Sequence, residues 1–305
     1  MKIIYMGTPD FAVPCLETLI KSKHEVVAVY TKEDKPQGRK QTLTPSAVKV
    51  LANKYNIPVY QPKTLKTDEE YEQIKTINAD VIVVSAYGLI LPKKILDEPK
   101  YGCINLHGSL LPKYRGAAPI QWSILNGEEK TGVTLMQINE GIDTGDMLLK
   151  KEVVIEENYT ASILSDKLAK MSADIILDGL DKIEKGEITP QKQDDNLSNY
   201  APMLDKSLCQ IDWTKSAQEV HNKVRGLNSW PIAVSKINGK RIKIFSTEKA
   251  DLKGNSGEIL SVNPLIVGCG EGSVKILELQ LDGKKRMNAQ DFTRGYKLEI
   301  KNKFE

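Results

Sequence analysis

Asp80-Val81-Ile82-Val83-Val84-Ser85 is apolar at every position from 81 to 84 and β-branched throughout that run. A strand with one wet face alternates polar and apolar residues; this one does not, so it is expected to be buried on both faces, as strands of a parallel sheet are when helices cover both sides. Upstream, Lys2 to Met6 is a second short apolar run, closed by Gly7-Thr8-Pro9, after which Phe11, Val13, Leu16, Leu19 and Ile20 recur at helical spacing. The pattern reads strand, turn, helix. A further strand is expected over 25–31, then a polar loop over 32–44 carrying Lys32, Lys35, Arg39 and Lys40. Thr44 is placed to cap the next helix, with Pro45 at its first position and Val48, Leu51 and Tyr55 along it.

Downstream, strands are expected over 101–106, 132–138 and 147–155, and helices over 68–77, 117–126 and 161–185. Strand and helix alternate from the start. The expected fold is therefore α/β, with a doubly wound, mostly parallel sheet whose ligands sit at the carboxyl ends of its strands. From 186 to 206 the chain is polar and punctuated by Pro190, Asp194-Asp195-Asn196 and Pro202, which reads as a linker. Beyond it, a helix over 217–227 and five short strands separated by tight turns suggest a small β-barrel of the oligonucleotide-binding (OB) kind. The expected domains are 1–188 and 207–305, joined by 189–206, which suits a chain of 305 residues at about 150 per domain.

Composition narrows the function. Hydrophobic residues make up 40% and charged residues 27%, an ordinary globular balance that argues against extended disorder. No apolar run reaches membrane-spanning length and the start lacks the layout of a signal peptide, so a cytoplasmic protein without a membrane partner is expected, and a monomer. Cys15, Cys103, Cys209 and Cys269 are scattered singly, and there are only three histidines, so no metal centre is expected. The net charge of +3 is unevenly spread: residues 206–305 carry 18 Lys and Arg against 11 Asp and Glu, leaving 25 against 29 for the rest. A basic last third is the footprint of a lobe that meets a polyanion.

Several common motifs are missing. Gly7-Thr8-Pro9-Asp10-Phe11-Ala12 has one glycine where a dinucleotide-binding loop needs three, and neither the phosphate loop of nucleotide hydrolases nor a G-x-S-x-G elbow occurs. The glycines at 268, 270 and 272 lie between strands and read as a hairpin turn. What remains is Asn105-Leu106-His107, at the carboxyl end of an expected strand. Residues two apart in a strand point to one face, so an amide donor and an imidazole converge there. Asp143, in the turn Asn139-Glu140-Gly141-Ile142-Asp143-Thr144-Gly145-Asp146, is a carboxylate that such a turn can aim into the same cleft.

Four stretches together carry a resemblance. Met6-Gly7-Thr8-Pro9-Asp10-Phe11-Ala12-Val13, Asn105-x-His107-Gly108-Ser109-Leu110-Leu111-Pro112-x-Tyr114-Arg115-Gly116, Ala118-Pro119-Ile120-Gln121-Trp122 and Gly141-Ile142-Asp143-Thr144-Gly145-Asp146 resemble the methionyl-tRNA formyltransferase family. Gly226-Leu227-Asn228-Ser229-Trp230-Pro231 is close to that family's variable carboxy-terminal motif but departs from it at Asn228-Ser229. The resemblance implies a folate-dependent formyltransferase with Asn105, His107 and Asp143 as its triad. It implies a tetrahydrofolate pocket at Ser109, Leu110, Leu111 and Pro112, 10-formyltetrahydrofolate as donor, and initiator methionyl-tRNA as acceptor. Arg39 and Lys40 would meet the acceptor end of that tRNA. The residue types suit the chemistry: formyl transfer from N10 of a folate passes through a tetrahedral oxyanion that Asn105 can stabilise, while His107 held by Asp143 can support it or protonate the leaving nitrogen. The nucleophile is the substrate's own amine. Two other readings stay open, a formyltransferase for an amino sugar nucleotide and a non-catalytic RNA-binding relative.

Overall fold

The computed structural model describes residues 1–38, 41–300 and 302–305. In chain order it begins β1 (Lys2–Gly7), α1 (Val13–Ile20), β2 (Glu25–Tyr30), β3 (Lys35–Gln37), β4 (Thr42–Thr44), α2 (Ala47–Lys54) and β5 (Val59–Tyr60). Next come α3 (Asp68–Ile77), β6 (Val81–Ser85), α4 (Lys93–Leu96), β7 (Cys103–His107), β8 (Arg115–Gly116), α5 (Pro119–Leu125), β9 (Lys130–Gln137), β10 (Met147–Val154) and α6 (Ala161–Lys185). After β11 (Tyr200–Ala201) follow α7 (Ala217–Gly226), β12 (Ala233–Ile237), β13 (Lys240–Ala250), β14 (Ile259–Val262), β15 (Leu265–Gly268), β16 (Ser273–Leu281), β17 (Met287–Asn288) and α8 (Ala289–Gly295). Two compact units result. One holds 1–116, 132–153 and 165–200; the other holds 117–131, 154–164 and 201–305.

The first unit is built on a sheet ordered β10-β9-β7-β6-β1-β2-β5. The five strands from β7 to β5 are parallel, and β9 runs antiparallel to β7. β6, buried at every residue, lies between β1 and β7, as its unbroken apolar run predicts. One face of the sheet contributes Ile4, Met6, Ala28, Tyr30, Ile82 and Val84 to a core closed by Leu65, Ile74 and Ile95, while Ile3, Tyr5, Val81 and Val83 are fully buried on the other. Each such side chain contributes about 1.5–3 kcal/mol by leaving water.

Local chemistry corrects two expectations. Helix α2 is capped by Ser46, whose side chain accepts from the Lys49 amide; Thr44 instead lies in β4. The polar stretch expected as a loop over 32–44 contains a hairpin, in which β3 and β4 pair antiparallel around Gly38. Its strands lack an apolar face, so periodicity could not reveal them.

The second unit carries a sheet ordered β12-β13-β16-β15-β14, with β17 beside β16; the pairs between neighbours are antiparallel. Its core includes Trp213, Val220, Val224, Ile237, Ile242, Ile259, Val267, Val274 and Phe304. The chain terminus joins the two edge strands of this sheet. Glu305 and Lys236 exchange backbone hydrogen bonds of 2.9 Å, the Phe304 amide donates to the Gly257 carbonyl at 2.8 Å, and the Ile259 amide donates to Asn302 at 2.9 Å. Gly257 sits at φ +76 with the Phe304 carbonyl 2.3 Å from where a Cβ would stand, so only glycine fits. Among these polar terminal residues only Phe304 signals burial; it is 3% exposed and packs on Trp213 with ring centroids 5.6 Å apart.

Phe304→Ala should cost about 3–5 kcal/mol, the usual range for emptying a buried aromatic site. Urea unfolding followed through the fluorescence of the neighbouring Trp213 reads it; a loss below about 1 kcal/mol would show that the terminus is not part of the core.

Candidate active site

The carboxyl end of β7 places Asn105 opposite Val84 of β6 and Met136 of β9, and His107 opposite Thr134. The two side chains share a face of the sheet, as their spacing predicts. His107 is 6% exposed, whereas Asn105 is half-buried and its amide makes no hydrogen bond among the described residues. The imidazole is fixed by the loop that follows. Tyr114, held at φ +61 and buried, presents its carbonyl 2.8 Å from His107 Nε2. A carbonyl only accepts, so Nε2 carries a hydrogen and donates it. The remaining nitrogen, Nδ1, faces Asp143 Oδ2 at 3.6 Å, an ion-pair separation rather than a hydrogen bond.

Asp143 itself is tied down on three sides. Its Oδ2 accepts from the Gly116 amide at 2.8 Å, and its backbone takes φ +53. Gln193 Nε2 donates to the carbonyls of both Asp143 and Gly145 at 2.8 Å. At Gly145 a Cβ would stand 1.8 Å from the Gln137 carbonyl, so the turn cannot accept a side chain there. Gln193 Oε1 accepts from Arg115 Nε at 2.9 Å, and Arg115 Nη2 pairs with Asp195 Oδ1 at 2.7 Å. The Tyr114 amide donates to Asn199 Oδ1, and the Arg115 amide to the Asn199 carbonyl at 3.0 Å. Gln191 and Met147 exchange backbone bonds of 2.9 and 2.8 Å.

Residues 191–199, expected as part of a free linker, are therefore a strap that clamps the two loops bearing the site. Composition gave no sign of this, because Gln193 finds its partners 50 and 78 residues away. Arg115 stood inside a quoted motif, but nothing in the sequence assigned it a partner.

The Ser109–Pro112 turn divides in two. Ser109 is fully buried and donates to the Lys113 carbonyl at 2.6 Å, while Thr134 Oγ1 donates to the Ser109 carbonyl at 2.7 Å and accepts from the Leu111 amide at 3.1 Å. Leu111 packs with Met136 and Met147. Ser109 and Leu111 thus shape the turn from within, and half-buried Leu110 and Pro112 are left at its rim. Leu110 lies over Gly132, where a Cβ would meet it at 2.6 Å.

All four cysteines are buried and free. Burial pushes the thiols of Cys15 and Cys269 up to about 12, and that of Cys103 up as well, which makes them core residues rather than nucleophiles. Among the described residues no three His, Cys, Asp or Glu side chains gather as a metal site, and no helix is long and apolar enough to cross a membrane. Arg39 and Lys40 lie outside the described residues.

Comparison with known proteins matches residues 1–180 to the formyl transferase family and 203–297 to the formyl transferase carboxy-terminal domain. The methionyl-tRNA formyltransferase of Citrifermentans bemidjiense is 50% identical over 301 residues, which cover 98% of this chain and 95% of the relative. Among solved structures, an N-formyltransferase from Helicobacter canadensis, in complex with folinic acid and dTDP-3-aminofucose, superposes with a TM-score of 0.69 at 24% identity over 90% of this chain and 98% of its own. HypX from Aquifex aeolicus in complex with tetrahydrofolic acid gives 0.67 at 20% identity over 99% of this chain and 50% of that one. These two share the fold. With both domain models matched in order and half of its residues identical to a relative of nearly the same extent, the chain belongs to the formyl transferase family.

Proposed function

We propose that this enzyme transfers the formyl group of 10-formyltetrahydrofolate to the α-amine of methionyl-initiator tRNA. The observation that carries the reading is the meeting of an unpaired amide, Asn105, with an oriented His107–Asp143 pair at the carboxyl end of β7 in a chain of this family. The α-amine nitrogen attacks the formyl carbon and its carbonyl oxygen becomes an oxyanion. Asn105 Nδ2 donates to that oxygen. When the bond from the formyl carbon to N10 breaks, N10 gains one proton and the amine has lost one, so the step balances without a metal or a protein nucleophile.

His107 acts through Nδ1, since Nε2 is committed to Tyr114. At 3.6 Å from Asp143 it is not engaged in a hydrogen bond, so it is free to take the proton that the attacking amine gives up and to pass it to the departing N10. Asp143 keeps the charged ring in place. The Ser109–Pro112 turn lines the folate pocket, with Leu110 and Pro112 against the co-substrate and Ser109 and Leu111 holding the turn's shape.

Arg39 and Lys40 reach the acceptor end of the tRNA, and the basic segment 206–305 carries the rest of its binding. The catalytic residues belong to 1–188 and the tRNA-holding lobe to 207–305, and within 189–206 the residues 191–199 serve as the strap. The protein acts in the cytoplasm, where charged tRNA is made. Formylation of an amino sugar nucleotide is not favoured, because the relative that is 50% identical bears the name of a tRNA enzyme.

The deciding assay offers purified protein the formyl donor with charged initiator tRNA, charged elongator tRNA or a dTDP-amino sugar. Turnover of the initiator tRNA alone is expected, and turnover of the sugar nucleotide instead would overturn the reading. Asn105→Ala should lower kcat by about 10²–10³, the usual loss for one oxyanion donor. Wild-type kcat in that variant would remove Asn105 from the mechanism. Gln193→Ala should reduce kcat by about tenfold while leaving KM for both substrates within about twofold, because it loosens the Asp143 turn without touching either substrate. If about four phosphates are neutralised, tRNA affinity should fall with a log–log salt slope near −3, measured by filter binding; a flat dependence would contradict the electrostatic role of the basic lobe.

A further inference from the structure

Lys32 follows β2 at the carboxyl edge of the sheet, and its backbone is fixed on both sides. Its amide donates to Thr8 Oγ1 at 3.4 Å, and its carbonyl accepts from Gln61 Nε2 at 2.8 Å. Thr8 Oγ1 in turn donates to the Tyr87 carbonyl at 3.0 Å, which joins the loops after β1 and β6. The Lys32 side chain runs across these loops to Gly88. A Cβ on Gly88 would stand 2.6 Å from Lys32 Nζ and 2.8 Å from Cε, so the ammonium rests directly against Gly88, whose φ of +82 favours glycine.

Among the described residues that ammonium has no counterion. Of the two carboxylates that follow it, Glu33 is exposed and forms no ion pair among the described residues, and Asp34 is taken by Lys49 Nζ at 3.0 and 2.8 Å and by Gln61 Nε2 at 2.8 Å. Among the described residues Lys32 Nζ makes neither a hydrogen bond nor an ion pair, although the residue is half-buried. Burial, and then the charge of Lys35, pull its pKa below the ordinary value. A pre-oriented, partly desolvated cation without a partner is an anion site waiting for its anion.

We propose that Lys32 holds the phosphate that joins the last two nucleotides of the acceptor tRNA, and so positions the aminoacyl end for attack. The proposal rests on the tRNA reading above. In that reading the Ser109–Pro112 turn, on the β9 side of β7, takes the formyl donor, so the amine approaches from the other side, where β6, β1 and β2 lie. Gly88, against which the ammonium rests, belongs to the loop after β6, the strand that pairs with β7. From the α-amine through the ester and ribose to the terminal nucleotide's phosphorus is a path of roughly eight bonds, about 10 Å when extended. The reach fits. Gly88 and the Thr8 bridge are then positioning elements for Lys32 rather than turn fillers.

The test compares wild-type enzyme, Lys32→Gln and Lys32→Arg on methionyl-tRNA, with and without a neutral methylphosphonate at that last linkage. Wild-type turnover of the natural tRNA establishes the tRNA reading on its own, so its absence would sink that reading and this one together. Given turnover, Lys32→Gln should raise KM for the tRNA about tenfold and make its salt slope shallower by about 1, with kcat and KM for the formyl donor unchanged. Lys32→Arg should restore much of the loss. The methylphosphonate should weaken the wild type equally and Lys32→Gln no further. The wild-type arm needs no variant to fold, and a wild type indifferent to the methylphosphonate would overturn the proposal. Fully additive losses would overturn it too. So would a rise in KM for the formyl donor in place of the tRNA, which would assign Lys32 to a folate carboxylate instead.

Discussion

The bond from His107 Nε2 to the Tyr114 carbonyl decides which nitrogen of the imidazole can take part in chemistry. Without it the ring could rotate about its χ angles and either nitrogen could face Asp143. With it, Nδ1 is the nitrogen that faces Asp143, and the loop that supplies the carbonyl must be rigid. That requirement explains much of what surrounds the site: the left-handed backbone at Tyr114, the clasp of its amide by Asn199, and the pairing of Arg115 with Gln193 and Asp195. The same Gln193 holds the turn that carries Asp143. One segment of chain therefore sets the relative position of imidazole and carboxylate, which is how a pair from distant parts of the sequence keeps a 3.6 Å separation.

Asn105 stands apart from this network, and that suits the role proposed for it. An amide already satisfied by neighbours would have to break a bond to serve a developing oxyanion, at a cost of about 1 kcal/mol or more. An amide left half-buried and unpaired donates to the transition state without prior rearrangement, which is the sense in which a site is preorganised.

The sheet was legible because burial on both faces leaves an unmistakable mark, as in Val81–Ser85, and the shared face of Asn105 and His107 was legible because a spacing of two within a strand has one geometric meaning. What the sequence hid were contacts made across long separations by polar residues. The strap over 191–199 looks like a linker because it has no apolar face, and the β3–β4 hairpin looks like a loop for the same reason. The terminal residues that join the edge strands of the second sheet are polar around one buried phenylalanine. Periodicity reports apolar burial; it is silent about structure held by backbone bonds and amide side chains. The division into units behaves similarly, since residues 117–131 and 154–164 cluster with the carboxy-terminal unit although the chain there continues the alternation of the first.

The claim on which the account turns is that His107 and Asp143 act as one device. A double-mutant cycle on the single-turnover rate, with His107→Asn, Asp143→Asn and both together, tests it most directly. The account predicts strong non-additivity, with the double variant no slower than His107→Asn alone, because removing the imidazole leaves the carboxylate nothing to hold. Independent, multiplying losses would contradict it.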